Sequence, residues 1–145
     1  MLLAKNREFL ERAILEFRAR RVKKVYVAWV EGIFFEEIEI NQPISTFKRG
    51  GKSFSKIDTK KGKEAVTIVR PILIQGKKSK VEIEIKTGRT HQIRVHLSSI
   101  GHPVVGDERY GSPTKTKRVL LHAKRLSLLD YEFEAKEPKD IIKYK

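Results

Sequence analysis

At 145 residues the chain suits one domain with one modest core, and its 32 Lys and Arg against 18 Asp and Glu give a net charge of +14. It has no cysteine, which excludes a disulfide framework and a thiolate metal site. No signal peptide is legible and no apolar run approaches the roughly 20 residues of a membrane span, so a soluble cytoplasmic protein is expected.

So large a basic excess predicts a polyanion partner, because a cationic surface gains affinity by displacing counterions from phosphates. Solubility or non-specific adhesion is the plainer alternative. A basic protein–protein interaction domain with an acidic partner is a further one.

In chain order, Asn6 can cap a helix over residues 6–20, with Phe9, Leu10, Ala13, Ile14 and Phe17 as its buried stripe. Arg18, Arg20 and Arg21 supply the positive charge that suits its C-terminal end. Residues 25–30 read as a strand and Glu31-Gly32 as a tight turn. Residues 33–40 are expected to return as the second arm of a hairpin.

From residue 41 to 64 the hydrophobic period disappears. Between Lys48 and Lys63 seven Lys or Arg face one acid, Asp58, interleaved with Phe54 and three glycines and preceded by Phe47. This reads as a basic flexible loop able to hold phosphates, with Lys60 and Lys61 in it, or as a solvated connector.

Residues 65–74 read as a strand, 75–79 as a turn, and 81–86 as the returning strand, where Glu and Ile alternate. Gly88 then marks a turn, Thr90 a helix N-cap, and Gly101 with Pro103 the helix stop. On that helix Ile93, Leu97 and Ile100 form the buried stripe. Arg94 lies about 100° from Ile93, at the stripe's edge. A guanidinium there is either a solvated surface charge or a grip for a carboxylate or phosphate.

Residues 106–116 read as a loop punctuated by glycine and proline, and 118–129 as another strand. The charged remainder from Tyr131 is expected to fray or lie on the surface. The expected fold is α+β: an antiparallel or mixed sheet with two packed helices, forming a single domain over residues 1–145.

No metal site is expected. His91 and His96, five apart, are about 140° from each other around a helix, and His102 and His122 add no ligand spacing. By pattern alone His91 and His122 are packed, hydrogen-bonded residues. Neither a nucleotide-binding glycine loop nor a nucleophile elbow is present.

The run Lys86-Thr87-Gly88-Arg89-Thr90-His91-Gln92-Ile93-Arg94-Val95-His96-Leu97, followed by Gly101-His102-Pro103-Val104-Val105-Gly106-Asp107 and Tyr110-Gly111, resembles the signature of the RluA-type RNA pseudouridine synthases. The resemblance covers nearly the whole chain, in order. Met1-Leu2-Leu3-Ala4-Lys5-Asn6 resembles the segment that follows the family's catalytic motif, and Lys24-Val25-Tyr26-Val27-Ala28 its second motif. Gly62-Lys63-Glu64-Ala65-Val66-Thr67 and Leu120-Leu121-His122-Ala123 resemble two further segments.

The resemblance implies the C-terminal part of the family's catalytic fold. It implies isomerisation of uridine to pseudouridine in a structured ribosomal or transfer RNA, with no cofactor and no metal. Tyr26 would pack beside the target uridine and help move its proton. Arg94 would pair with the catalytic aspartate, and Leu121 would line the base pocket. Arg89, His91 and Gln92 would contact substrate; Lys60 and Lys61 are expected on the RNA backbone from the charge of the basic stretch rather than from the resemblance.

One departure stands out: the family's nucleophile lies in an H-R-L-D-x-x-T-S-G segment that this sequence does not contain. None of Asp58, Asp107, Asp130 and Asp140 has that context, and Asp107 occupies a place where the family has an aspartate that is not the nucleophile. Inactivity of the isolated chain is therefore expected. The readings are a fragment or a reading frame started at an internal methionine, half of a split enzyme completed by a partner chain, or a non-catalytic RNA-binding module. An edge left open near residues 2–5 would favour self-association or poor order there.

Overall fold

A computed structural model describes residues 23–128 and 131–142. The expected helix over 6–20, the segment resembling the one after the catalytic motif, and the expected open edge at residues 2–5 lie outside the described residues.

The organising element is strand β1 (Lys23–Glu31), in which Val25, Val27, Ala28, Trp29 and Val30 are all essentially inaccessible. A strand apolar on both faces must be central. The others are β2 (Ile38–Asn41), β3 (Ile44–Arg49), β4 (Lys52–Ile57), β5 (Val66–Gln75), β6 (Lys78–Ile85), β7 (Leu121–Leu128) and β8 (Tyr131–Glu134). Two helices, α1 (Gln92–Ser99) and the short α2 (Lys139–Ile142), complete the set, with a 3₁₀ turn at Glu108–Tyr110.

Six strands form one sheet in the order β2-β5-β6-β1-β7-β8. Every pairing is antiparallel, which removes the mixed-sheet alternative and leaves the α+β class intact. Residues 33–40 do not return alongside β1. β1 pairs instead with β6 (Tyr26 opposite Ile83) and β7 (Tyr26 opposite Ala123). The chain after β1 crosses the end of β6, where Ser79 Oγ donates to Gly32 O and accepts from Phe34 N–H, and Phe34 is buried there. It then joins the far edge as β2, paired with β5. Both lateral positions of β1 are taken by strands twice as long as β2, eight residues against four, so the local turn signal is overridden.

Each face carries a core. On one, Ala28, Val30, Val81, Ile83 and Ile85 meet Ile93 and Leu97 of α1. On the other, Val27 and Trp29 meet Val105, Leu120 and Ile141. Of the two expectations for the charged C-terminal stretch, surface position holds and fraying does not: residues 134–142 are mostly exposed, yet β8 pairs with β7, and Trp29 Nε1 donates to Ile141 O at 2.8 Å. Arg118 pairs with Asp140, and Lys80 with Glu137, across the same region.

The basic stretch 41–64 is a correction too. Residues 44–57 form a regular hairpin of β3 and β4, a separate two-stranded sheet with Ile44 opposite Ile57 and Phe47 opposite Phe54. Gly50 and Gly51, at φ 58° and 78°, are the two-residue turn that positive φ at both central positions requires. The alternation is hidden in the sequence because serine, threonine and lysine fill places usually held by apolar residues. Ile44 packs with Ala65 and Val95, which seats the hairpin on α1.

Candidate active site

The motif loop is held by a buried hydrogen-bond chain. Gln92, at the first turn of α1, is 3% exposed. Its Nε2 donates to Val66 O (2.9 Å) and Thr67 Oγ1 (3.0 Å). Its Oε1 accepts from Thr87 Oγ1 (2.6 Å) and from Arg89 N–H (3.1 Å). Thr87 in turn accepts from Val66 N–H, and Thr67 Oγ1 meets His96 Nδ1 at 2.7 Å. His96 Nε2 lies 2.9 Å from Gln42 O, which can only accept, so Nε2 carries the proton and Nδ1 takes the Thr67 hydroxyl proton. Burial holds the His96 imidazole below its ordinary pKa, in the neutral state this chain of bonds needs.

The helix does not start at Thr90 as expected. His91 is the flanking residue, in the left-handed region at φ 53°, with no side-chain cap. Thr90 is used differently: its carbonyl accepts from Ser55 Oγ of β4 at 2.6 Å. Ser55 N–H donates to Tyr110 Oη (3.0 Å), and Tyr110 Oη meets His91 Nδ1 at 2.7 Å. Burial and the charges of Arg94 and Arg109 push the His91 imidazole down.

Arg94, further along the first turn of α1, is gripped side-on by Asp107: Nε to Oδ2 at 2.8 Å and Nη2 to Oδ1 at 2.9 Å. Its guanidinium also lies over the Tyr110 ring, 5.0 Å from the centroid. The hydrogen bonds it donates to Asp107 raise the Arg94 pKa further, so the charge is permanent. Asp107 is wholly buried. Thus the carboxylate that Arg94 meets among the described residues is Asp107, with both oxygens committed. A guanidinium has two bidentate edges, and the edge bearing Nη1 is left for another acceptor.

A cleft of about 390 Å³ opens beside this pair, lined by Lys24, Tyr26, Ile85, Arg89, Arg94 and Leu121 among others. Ile85, Ile93 and Leu121 make an apolar floor. Lys24, Arg89 and Arg94 give it positive charge, and no carboxylate lines it among the described residues. Burial raises the Tyr26 pKa and keeps the phenol protonated; no described residue hydrogen-bonds its hydroxyl. Such a cleft suits a flat, uncharged ring attached to an anionic backbone.

Tyr26, Arg89, His91, Gln92, Arg94 and Leu121 all line this cleft. Gln92, however, spends its whole amide inside the chain, so it braces the loop rather than offering a free contact. Lys60 and Lys61 are outside the cleft, on a turn in which both backbone N–H groups donate to Asp58 Oδ1. Lys61 lines a neighbouring groove of about 440 Å³ between hairpin and motif loop, which shares Gly88 and Arg89 with the cleft. Sequence reasoning missed Lys24, although period two places it on the same face of β1 as Tyr26. It also missed Tyr110, whose hydroxyl joins hairpin and motif loop. Among the described residues no group of three or more His, Asp and Glu could hold a metal, and no helix is long and apolar enough to cross a membrane.

The two imidazoles make stability pH-dependent. An unfolded histidine titrates near pH 6.5, and both His91 and His96 lie lower when folded. The unfolded chain then binds more protons, so their contribution is complete above about pH 6.5 and is lost as pH falls through the folded values. Urea midpoints at pH 7.5 and 5.5 should show lower stability at 5.5, with the His96 ring still neutral by NMR at pH 6.5. A flat profile would contradict the assignment.

Comparison with known proteins places this geometry in a class. Residues 1–99 match the family model described as RNA pseudouridylate synthase, and the chain belongs to that family. An uncharacterized RNA pseudouridine synthase of Helicobacter pylori is 53% identical over 141 residues, covering 97% of this chain and 57% of that protein. The ribosomal large subunit pseudouridine synthase C of Buchnera aphidicola is 34% identical, over 98% of this chain and 47% of its own length. The structure of human RNA pseudouridylate synthase domain containing 1 superposes with a TM-score of 0.75 at 33% identity, over 94% of this chain and 62% of that one. Within the family the chain is of the RluA type. It spans about half the length of the curated relatives it matches.

Proposed function

We propose that the cleft between β1 and α1 receives the target uridine of an RNA pseudouridine synthase, with the nucleophilic carboxylate supplied from outside residues 23–142. The observation that carries this reading is the meeting of Tyr26, Arg94 and the apolar floor of Ile85 and Leu121 in one cationic cleft. The uracil ring lies on that floor against the phenol. The incoming carboxylate takes the Nη1 edge of Arg94, whose other edge Asp107 fixes.

Pseudouridine keeps every atom of uridine, so the reaction consumes no second substrate. What the site must do is hold the detached ring while it turns and rejoins through carbon. A protonated Tyr26 can donate a hydrogen bond to the ring while that happens. Leaving the RNA stack costs a few kcal/mol, which base contact on the floor and phosphate contact at Lys24, Arg89, Lys60 and Lys61 offset. The substrate is ribosomal RNA, as the names of relatives suggest, and the setting is the cytoplasm.

The test is complementation. The part of the Helicobacter pylori relative that lies outside the match is joined to this chain and given unmodified ribosomal RNA. Nucleoside chromatography should then find pseudouridine, and none with the chain alone. A folded chimera that binds RNA and makes no pseudouridine would favour the non-catalytic RNA-binding module instead, the reading that the net charge of +14 supports by itself.

A further inference from the structure

The outer face of the β3–β4 hairpin has no part in the cleft, yet it is built in an ordered way. Because alternate residues share a face, Phe47 and Arg49 stand with Lys52, Phe54 and Lys56. The rings of Phe47 and Phe54 are stacked, with centroids 5.7 Å apart and planes within 17°. Arg49 and Lys56 lie over Phe47 at 5.8 and 5.7 Å, and Arg109, from the 3₁₀ turn, lies over Phe54 at 4.7 Å. The result is a cluster of two rings bordered by cations. Arg49, Lys52 and Arg109 form no ion pair with a carboxylate among the described residues.

Apolar contact alone does not explain this arrangement. Both rings are half-exposed, and Arg49, Lys52 and Arg109 are exposed. The hairpin is nevertheless fixed relative to the motif loop by Ser55, which donates to Tyr110 Oη and to Thr90 O, and by Arg109 Nη1, which donates to Ser53 O at 3.2 Å. Between hairpin and motif loop runs the polar groove lined by Ser45, Lys61, Lys63 and Arg89. A strand leaving the cleft along this groove would reach the hairpin.

We propose that this face binds an unpaired stretch of the RNA substrate flanking the target nucleotide, a base packing on Phe47 and Phe54 and phosphates meeting Arg49, Lys52 and Arg109. The inference rests on the RNA-modifying reading above. Aromatic rings accept any base, so the contact is with single-stranded RNA as a class and not with a sequence. Cations beside the rings supply phosphate contacts, and the lack of a carboxylate ion pair at Arg49, Lys52 and Arg109 among the described residues leaves their charge available.

The experiment compares two RNAs that carry the same hairpin loop, one with a single-stranded flank and one trimmed flush, binding to the full chain. Phe47→Leu with Phe54→Leu keeps an apolar surface and should weaken binding of the flanked RNA about tenfold, with the trimmed RNA unchanged. Because no cation is removed, the salt dependence should stay the same. Arg49→Gln with Lys52→Gln, which leaves the rings in place, should lower the salt slope for the flanked RNA by about 0.7 for each phosphate no longer neutralised.

Equal weakening of both RNAs, or no weakening by either pair of substitutions, would overturn the proposal while leaving RNA binding intact. Failure of the unsubstituted chain to bind either RNA would overturn the RNA-modifying reading itself. Competition by polyglutamate as effective as by the flanked RNA would assign the face to an acidic protein partner and end the proposal.

Discussion

Replacing Arg94 by lysine in the completed enzyme is expected to reduce turnover by about 10²-fold while RNA affinity changes by less than about threefold. The reason is geometric. Asp107 holds Nε and Nη2 at 2.8 and 2.9 Å, so the plane of the guanidinium is set and its second edge is aimed. Lysine preserves the charge but is a point donor on a flexible stem, unable to serve two carboxylates from opposed edges. Affinity is spread over many phosphate contacts, so it is largely spared.

Arg94→Ala tests a different quantity. It leaves the wholly buried Asp107 without its partner and should cost about 3–5 kcal/mol of stability. Removing both charges together, as Arg94→Leu with Asp107→Leu, should recover most of that stability and none of the activity. A double variant that stays active would remove Arg94 from the chemistry.

Gln92→Leu is the second large effect. Four hydrogen bonds converge on this amide, from Thr87 and Arg89 N–H and toward Val66 O and Thr67 Oγ1. Leucine fills the volume but strands several buried partners at about 1–3 kcal/mol for each that water cannot reach. A total loss of at least about 3 kcal/mol is expected, as a lower urea midpoint with an unchanged slope. Amide exchange at Arg89 should accelerate, because its N–H loses its acceptor. A loss below about 1 kcal/mol would mean that water replaces the amide.

These two residues also mark how far the sequence can be read. Helical periodicity alone fixes the direction of Arg94 relative to Ile93 and Leu97, which puts it at the edge of the buried stripe. Its partner Asp107 lies thirteen residues on, beyond a loop, and no periodic signal connects the two. Gln92 reads as a substrate contact only through the family resemblance. Only the positions of Val66 and Thr67 on the adjoining strand β5 reveal that it is a brace.

At the level of elements, β1, β5, β6 and α1 are legible because each has a clean apolar pattern with a glycine turn or stop at its end. The partner of β1 is not. A tight turn at Glu31-Gly32 suggests a hairpin, whereas burial on both faces of β1 demands two long neighbours, β6 and β7. The β3–β4 hairpin is hidden for the opposite reason. Beyond Ile44 and Ile57 at its base, its inward face is Thr46, Lys48, Ser53 and Ser55, with Ser55 held by hydrogen bonds to Thr46 and Thr90 O rather than by apolar burial.

The account turns on what meets the second edge of Arg94, and the structure of the complemented, active protein with bound RNA measures that directly. The prediction is a carboxylate from the added segment within about 3 Å of Nη1, Asp107 still on Nε and Nη2, and a uracil ring between Tyr26 and Leu121. A nucleophilic carboxylate lying away from Arg94, or a uracil bound outside the cleft, would contradict it.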